Sequence, residues 1–175
     1  MIHLTAYEGR GKYSNKKVLI LGHARHGKDT VADILHNEFN LKCSSSSMSV
    51  LDSFLFKILN KKYKLNYKNT KEAFKDRMNV RKIWFDEISK YNKNDKTRLA
   101  REVLKTNDIY VGLRSAEEIE ACIKRGVFDL IIGVYDNRKP HENNVNWNLG
   151  TYCDYIIQNN GSLEELKARI LHYFR

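Results

Sequence analysis

The stretch 18–35, VLILGHARHGKDTVADIL, decides the fold that we predict for this chain. It begins with four apolar residues, passes through a turn between two glycines, and continues with apolar residues at helical spacing. Such a pattern indicates a buried strand that leads directly into a helix. The sequence therefore predicts a strand over 17–21 and a helix from about Lys28 to Phe39.

The turn between this strand and this helix has the spacing G-x-x-x-x-G-K. In that context the pattern is typical of a phosphate-binding loop, because glycines let successive backbone N–H groups converge on one anion. The helix N-terminus adds partial positive charge, and the lysine reaches the β- and γ-phosphates of a nucleotide. A glycine turn without a ligand is the alternative. The predicted nucleotide-binding residues are Gly22, His23, Ala24, Arg25, His26, Gly27, Lys28, Asp29 and Thr30.

The two residues after the lysine depart from the commonest form of this loop. A Ser or Thr hydroxyl usually binds Mg²⁺ directly after the lysine, whereas this chain has Asp29 there and Thr30 next. We predict Thr30 and Asp29 as the magnesium ligands, with Asp29 orienting metal-bound water. The alternative is that Asp29 only stabilises the positive end of the helix.

Composition and length place the chain among single-domain globular proteins. It has 175 residues, of which 30% are charged and 42% hydrophobic. It has no apolar run near the roughly 20 residues of a membrane span and no apolar core of a signal peptide, so we expect no membrane partner. The three cysteines are widely spaced and odd in number, which indicates reduced thiols and a cytoplasmic protein.

The net charge is the least ordinary bulk property. The chain has 31 Lys and Arg against 21 Asp and Glu, a formal charge of +10. A basic surface without a specific partner is one interpretation. The other is a polyanionic partner such as nucleic acid, because basic side chains that contact phosphates release condensed counterions.

Apolar runs separated by helical patterns continue to the end of the chain. Strands that read as continuous apolar runs indicate a parallel sheet covered on both faces. We therefore predict a three-layer α/β fold in one domain, with the functional site at the carboxyl ends of the strands. The further strands predicted are 41–47 (ending in a serine-rich loop), 109–113, 129–135 and 154–158. The further helices predicted are 49–59, 70–91, 95–105, 115–126 and 162–174. A capping box opens each of the last two, through Ser115 with Glu118 and Ser162 with Glu165, and Gly126 ends the first of them.

The predicted helix 70–91 has two different stripes. One is apolar and contains Phe74, Met78, Phe85 and Ile88. The other contains Arg77, Arg81 and Trp84 at spacings i, i+4 and i+7. Two arginines beside an aromatic ring suit a phosphate and a stacked base, so we predict these three as substrate-binding residues. A solvated face beside a half-buried tryptophan is the alternative.

Four stretches together give the chain a resemblance to a known family. GHARHGKDTVADIL, KDRMNVRKIWFDEI, IYVGLRSAEEIEA and DYIIQNNGSLEELKARI resemble the bacteriophage deoxynucleoside monophosphate kinases. They also resemble related phage kinases that phosphorylate 5-hydroxymethyluracil within DNA. The resemblance covers 17–175 and leaves 1–16 as an unplaced extension. It implies a P-loop kinase fold, ATP and Mg²⁺ as cofactors, and location in the host cytoplasm.

The resemblance also implies roles for residues that follow the strands. Arg114 stands where nucleotide kinases hold the acceptor, although the family often has Asp-Val-Arg there and this chain has Gly-Leu-Arg. Arg138 resembles a lid arginine that reaches the transferred phosphoryl group, within a short lid loop of about 135–153. Asn160 stands where the family binds adenine with its backbone. An ordinary surface loop and an ordinary turn are the respective alternatives for Arg138 and Asn160.

Three classes of function fit these residues. A kinase acting on a modified base in DNA is favoured, because the charge is high and the lid is short. A free deoxynucleoside monophosphate kinase and a regulatory nucleotide-binding protein are the alternatives. A hydroxyl acceptor, unlike a phosphate, must lose a proton. Asp52 and Asp136 are the candidate proton acceptors, with Asp52 preferred; Lys28, Arg114 and Arg138 are the other candidate catalytic residues. The sequence does not fix the oligomeric state.

Overall fold

A parallel sheet forms the centre of the protein. The computed structural model describes residues 15–44, 46–142, 145 and 147–174. Among these residues the paired strands are all parallel, in the order β2-β1-β3-β4. This confirms the α/β class and four of the five predicted strands. The strands are β1 (Val18–Leu21), β2 (Ile109–Val111), β3 (Leu130–Tyr135) and β4 (Tyr155–Gln158).

Helices occupy most of the connections between the strands. A π-helical turn over Leu51–Leu55 joins the second helix to the third. No helix in the described ranges is long and apolar enough to cross a membrane. The helices are α1 (Lys28–Phe39), α2 (Ser46–Val50), α3 (Phe56–Lys61), α4 (Thr70–Asp76), α5 (Arg81–Tyr91), α6 (Arg98–Val103), α7 (Ala116–Arg125), α8 (Leu149–Tyr152) and α9 (Leu163–Phe174).

Both faces of the sheet are covered, as the continuous apolar strands predict. Successive side chains of a strand point to opposite faces. Val18 and Ile20 therefore pack in one core cluster with residues of α1 and α9. Leu19 and Leu21 pack in a second cluster with residues from α2 to α7. Because β1 is buried on both faces, the point at which the following turn begins is fixed by the two core clusters.

The predicted strand over 41–47 is reduced to one contact. Cys43 makes a single parallel bridge with Ile109, on the side of β2 that faces away from β1. Ser46 already begins α2, so the serine-rich stretch is partly helical. The prediction of a strand there is wrong, although the chain passes the sheet edge at the expected place.

The predicted helix over 70–91 is wrong, because the chain makes two helices there. The Asp76 carboxylate accepts hydrogen bonds from the Tyr67 hydroxyl and from Asn79 Nδ2 (2.6 Å), and α4 ends at Asp76. Side-chain bonds of this kind compete with the helical pattern. The helix restarts at Arg81 with a different rotational phase.

The two predicted stripes are only partly exchanged in the structure, since half of the apolar stripe still packs against the core. Trp84 is only 7% exposed and packs in the core, whereas Phe85 is 71% and Met78 63% exposed. Arg77 is the C-cap residue of α4, and Arg81 is the first residue of α5. The prediction that Arg77, Arg81 and Trp84 share one helix face is therefore wrong, as is the core position of Met78 and Phe85.

The predicted helix caps have mixed outcomes. Ser162 and Glu165 exchange reciprocal backbone-to-side-chain hydrogen bonds of 2.9 and 3.2 Å, which confirms the capping box of α9. Gly126 ends α7 in the left-handed region with φ of 65°, as predicted. The side chain of Ser115 makes no capping hydrogen bond. The capping box predicted for α7 is therefore wrong.

Candidate functional site

Three chain segments meet at the carboxyl edge of the sheet. The loop 22–27 follows β1, Arg114 follows β2, and Asp136 follows β3. After β1 the chain goes to one side of the sheet, towards β2, and after β3 it goes to the other side, towards β4. Ligands of open α/β sheets bind at this kind of switch point. The predicted loop thus lies at the position where the topology favours a ligand.

The backbone of the loop adopts a conformation that needs its two glycines. The φ angles of Gly22 and Gly27 are 150° and 95°. A Cβ atom at Gly22 would lie 2.5 Å from the Val134 carbonyl oxygen, and one at Gly27 would overlap the Asn159 side-chain amide. The loop is therefore packed directly against β3 and against the residues after β4.

We expect Gly22→Ala to lower the free energy of unfolding by about 1–3 kcal/mol, because the backbone is strained and the Cβ meets a fixed carbonyl oxygen. Gly27→Ala should behave similarly. Gly150→Ala is the matched control, since that glycine is helical and the closest atom to an added Cβ is at 3.4 Å. Urea unfolding of the three variants measures the difference. Equal stability of Gly22→Ala and Gly150→Ala would show that the loop is not held as described.

Lys28 carries a buried positive charge beside the loop 22–27. Its side chain is 9% exposed, and Nζ donates to the His23 carbonyl oxygen at 2.7 Å. No carboxylate of the described residues makes an ion pair with it. Burial, and then the charge of Arg114, lowers the pKa of Lys28. An anion at this position would relieve both effects.

Glu142 brings a carboxylate onto the loop. One of its oxygens accepts a hydrogen bond from the backbone N–H of Ala24 at 2.6 Å, and the other pairs with the Arg114 guanidinium. Burial acts to raise the pKa of Glu142, but the bonds from Arg114 and Ala24 outweigh it and leave the pKa below its ordinary value. The loop and Arg114 thus together bind one carboxylate group of the protein itself.

A group of aromatic rings surrounds the same end of the loop. His23 stacks on His141 with 4.4 Å between ring centroids, and Trp147 lies 6.1 Å from His23 on a nearly parallel plane. His23 Nδ1 accepts a hydrogen bond from the Glu142 backbone N–H at 3.1 Å. These rings line one side of a cavity of about 300 Å³. His23 therefore links this group of rings to the backbone of Glu142.

The pH dependence of stability should contain a contribution from His23. Burial, then the charges of His141 and His26, lowers the pKa of His23. The unfolded chain therefore binds more protons, so this contribution is complete above about pH 6.5 and is lost as the pH falls through the folded pKa. We expect His23→Gln to flatten the decline below about pH 6.5 in urea unfolding. His172→Gln is the control, because His172 is exposed on α9 and away from the loop; its unfolding profile should follow that of wild type. Parallel pH profiles for wild type and His23→Gln would contradict the assignment.

Asp136 and Arg138 form an ion pair at the end of β3. Arg138 donates to both carboxylate oxygens of Asp136, at 2.8 and 2.9 Å, and also to the Asn159 carbonyl oxygen at 3.0 Å. The hydrogen bonds from Arg138 lower the pKa of Asp136 to about 2. Asp136 is thus a weak base with both oxygens engaged. Arg138 would have to leave two partners to reach a phosphoryl group.

The two asparagines after β4 have different positions. Asn159 Nδ2 donates to the His26 carbonyl oxygen at 3.1 Å, so this side chain holds the loop 22–27. Asn160, the residue that the resemblance implies, is exposed and accepts from Arg169 at 3.1 Å. Its backbone contact with adenine stays a prediction. Asn159 belongs to the same predicted turn, but its hydrogen bond to the loop could not be predicted, because the two residues are 133 positions apart in the sequence.

A second cavity, of about 430 Å³, opens beside Arg114. Tyr110 lines it and is 4% exposed, and its hydroxyl has no hydrogen-bond partner in the described part of the chain. Glu118 also lines it and accepts a hydrogen bond from Asn92 Nδ2 at 2.7 Å. The cavity therefore combines polar groups that a ligand can engage with a cationic edge. Other lining residues are Ser46, Ser47, Phe85, Ile88 and Lys96.

The remaining predicted site residues do not line this cavity. Arg77 donates to the Phe74 carbonyl oxygen at 3.2 Å and stacks on the Phe74 ring at 4.0 Å. Asp52 is exposed on the π-helical turn and does not line the cavity. Arg81 is exposed, one helical turn before Phe85. The structure brings Lys28, Arg114 and the loop together, and it leaves Arg77 and Asp52 outside that group.

The predicted magnesium ligands lie in the first turn of α1. Asp29 is exposed and Thr30 half-buried. No three His, Cys, Asp or Glu side chains converge on a metal position within the described ranges. Mg²⁺ that binds through substrate phosphates keeps several waters and needs only one or two protein ligands. The oxygen atoms of Asp29 and Thr30 fit that requirement. Their role as magnesium ligands stays a prediction.

No protein-family model matches the chain, and no curated protein matches it.

Proposed function

We propose that this protein is an ATP-dependent phosphotransferase that acts on 5-hydroxymethyluracil in DNA. The observation that carries the proposal is the single anion position formed by the Ala24 N–H group and the Arg114 guanidinium, next to Lys28. The Glu142 carboxylate fills it in this structure. In the proposed complex a nucleotide phosphate takes that place.

The strand order supports the P-loop kinase fold that the sequence resembles. With the Cys43 bridge included, the chain passes the sheet in the order Cys43 segment, β2, β1, β3, β4. The glycine loop lies at the switch point and opens α1, the arrangement that suits a nucleotide phosphate. Bound Mg²⁺, with Thr30 and Asp29 as its protein ligands, would neutralise charge on the β- and γ-phosphates.

The proposed acceptor site is the 430 Å³ cavity. Arg114 stands between this cavity and the loop, because it lines the one and pairs with a carboxylate bound to the other. The hydroxymethyl oxygen forms a bond to the γ-phosphorus, the bond from that phosphorus to the bridging oxygen breaks, and ADP leaves. Lys28 and Arg114 stabilise the charge of the transferred group. Among the described carboxylates Glu142 would receive the hydroxyl proton, because the phosphate that takes its place frees its oxygens from Ala24 and Arg114. Asp136 stays paired with Arg138, and Asp52 does not line the cavity.

A deoxynucleoside monophosphate kinase is the second candidate function. The cavity volume favours it, since a pocket of several hundred Å³ holds a whole small-molecule ligand. The charge of +10 favours the DNA kinase, because a free nucleotide offers few phosphates for so many basic side chains.

Transfer of labelled phosphate from ATP to two acceptors in parallel separates these candidates. One acceptor is an oligonucleotide with 5-hydroxymethyluracil, and the other is a mixture of the free deoxynucleoside monophosphates. We expect label in the oligonucleotide, with transfer inhibited progressively between about 50 and 200 mM salt. Label in free dTMP or dGMP with none in DNA would favour the second candidate. Label in neither acceptor would contradict both.

A further inference from the structure

The excess positive charge of this protein is concentrated in one helical segment. Residues 57–98 contain fourteen Lys and Arg and five Asp and Glu, a net charge of +9 out of +10 for the chain. This segment, which we call the basic lobe, includes most of α3, all of α4 and α5, and the first residue of α6. The rest of the protein is almost neutral, so the net electrostatic attraction for a polyanion comes mainly from the basic lobe.

The basic side chains of the lobe are available to a ligand. Thirteen of the fourteen are exposed, and only Arg77 is half-buried. Four of them form ion pairs with carboxylates: Lys62, Lys82, Lys90 and Lys96. Nine exposed ones form no ion pair with a described residue, and this group is Lys57, Lys61, Lys64, Lys68, Lys71, Lys75, Arg81, Lys93 and Arg98.

Helix α5 connects the basic lobe with the acceptor cavity. Phe85 lines the cavity and is 71% exposed, so its ring stands at the cavity mouth. Arg81 lies one turn earlier on the same side of α5, and Met78 precedes that helix with 63% exposure. An exposed aromatic ring beside an unpaired guanidinium suits a base stacked on the ring and a phosphate on the cation.

We infer that the basic lobe is a docking surface for single-stranded DNA, with Phe85 stacking a base next to the one that enters the cavity. This inference rests on the proposed function for the identity of the polymer. Charge complementarity selects a polyanion, and the exposed ring at the cavity mouth selects unpaired bases over a closed duplex. An acidic protein would use the charges but would not need the ring beside the cavity.

Binding of a fluorescent single-stranded oligodeoxynucleotide, without ATP, tests the surface by anisotropy. Phe85→Ala should weaken binding by about five- to a hundredfold, the range for losing one stacked base, and Phe85→Trp should restore it. Arg81→Gln should weaken binding and lower the salt slope by about 0.7, the value for one phosphate on a single strand. An unaffected affinity in Phe85→Ala would overturn the stacking role.

Two quadruple variants separate the lobe from charge in general. The lobe variant replaces Lys57, Lys61, Lys71 and Lys75 with Gln, and the control replaces Lys16, Lys105, Lys124 and Lys167 with Gln. Both lose the same charge, but only the lobe variant should lower the affinity and the salt slope. Equal losses in the two variants, or binding of duplex as tight as single strand, would overturn the inference. Phosphorylation of DNA that the lobe variant performs as well as wild type would overturn it while leaving the proposed function intact.

Discussion

Replacement of Lys28 by alanine is expected to reduce phosphoryl transfer by on the order of 10²–10³-fold, the cost of removing one preorganised electrostatic group. The ammonium group is buried beside the loop and makes its one described hydrogen bond to the His23 carbonyl oxygen. In the proposed complex it would contact the phosphates that carry the developing charge. Its removal should therefore act on the chemical step more than on the fold.

Unfolding measurements keep this prediction separate from an effect on stability. Lys28 has no carboxylate partner within the described residues, so Lys28→Ala should unfold at a urea midpoint no lower than that of wild type. Lys167→Ala is the matched control, because that lysine is on α9 and pairs with Glu38. Turnover of labelled ATP into product should be normal in the control. Near-normal turnover in a folded Lys28→Ala protein would exclude the kinase function.

Replacement of Arg114 should have the second largest effect. Its guanidinium pairs with Glu142 on the loop side and lines the proposed acceptor cavity on the other side. Arg114→Ala should lower kcat by on the order of 10²-fold, because it removes a charge between donor and acceptor and frees the Glu142 carboxylate. Arg114→Lys should recover only part of the rate, since an ammonium group lacks the planar fork of donors.

Steady-state kinetics with ATP and acceptor varied separately identify this role. A residue that acts on the transferred group changes kcat with both substrates saturating. Arg125→Ala serves as the control, because Arg125 is a half-exposed arginine that pairs with Asp95 at the far end of α7. A change in the KM for ATP alone, with kcat unchanged, would assign Arg114 to donor binding and contradict its position between the two sites.

The elements around the loop could be predicted because their signals are local. The apolar run before Gly22 and the periodic run after Gly27 predict β1 and α1, and the structure has both at those places. The same holds for Gly126, where a single left-handed residue ends α7. In each case the residues that determine the conformation lie within a few positions of it.

The break in the predicted helix 70–91 could not be predicted from periodicity. Asp76, Asn79 and the more distant Tyr67 end α4 through side-chain hydrogen bonds, which hydrophobic spacing does not detect. The restart at Arg81 then changes which residues face the core. One consequence is that Trp84 is buried and Phe85 is at the cavity mouth, the reverse of the arrangement that the stripes predict.

Two contacts at the candidate site depend on long-range folding and have no local signal. Glu142 reaches Ala24 across 118 positions of sequence, and Asn159 reaches His26 across 133. A carboxylate in a polar loop such as 135–153 is an ordinary surface feature until the sheet brings that loop over β1. Sequence reasoning therefore found the cationic half of the anion position but not the group that occupies it.

Mass analysis of nucleosides from the reacted DNA tests the central claim most directly. A single-stranded oligonucleotide with one internal 5-hydroxymethyluracil is incubated with the protein, ATP and Mg²⁺, and is then digested to nucleosides without a phosphatase that removes phosphate from the modified base. We predict that the modified nucleoside gains the mass of one phosphoryl group, and that Lys28→Ala forms this product on the order of 10²–10³-fold more slowly. Phosphate found only at the terminal hydroxyl of the oligonucleotide, or only on added deoxynucleoside monophosphates, would contradict the account.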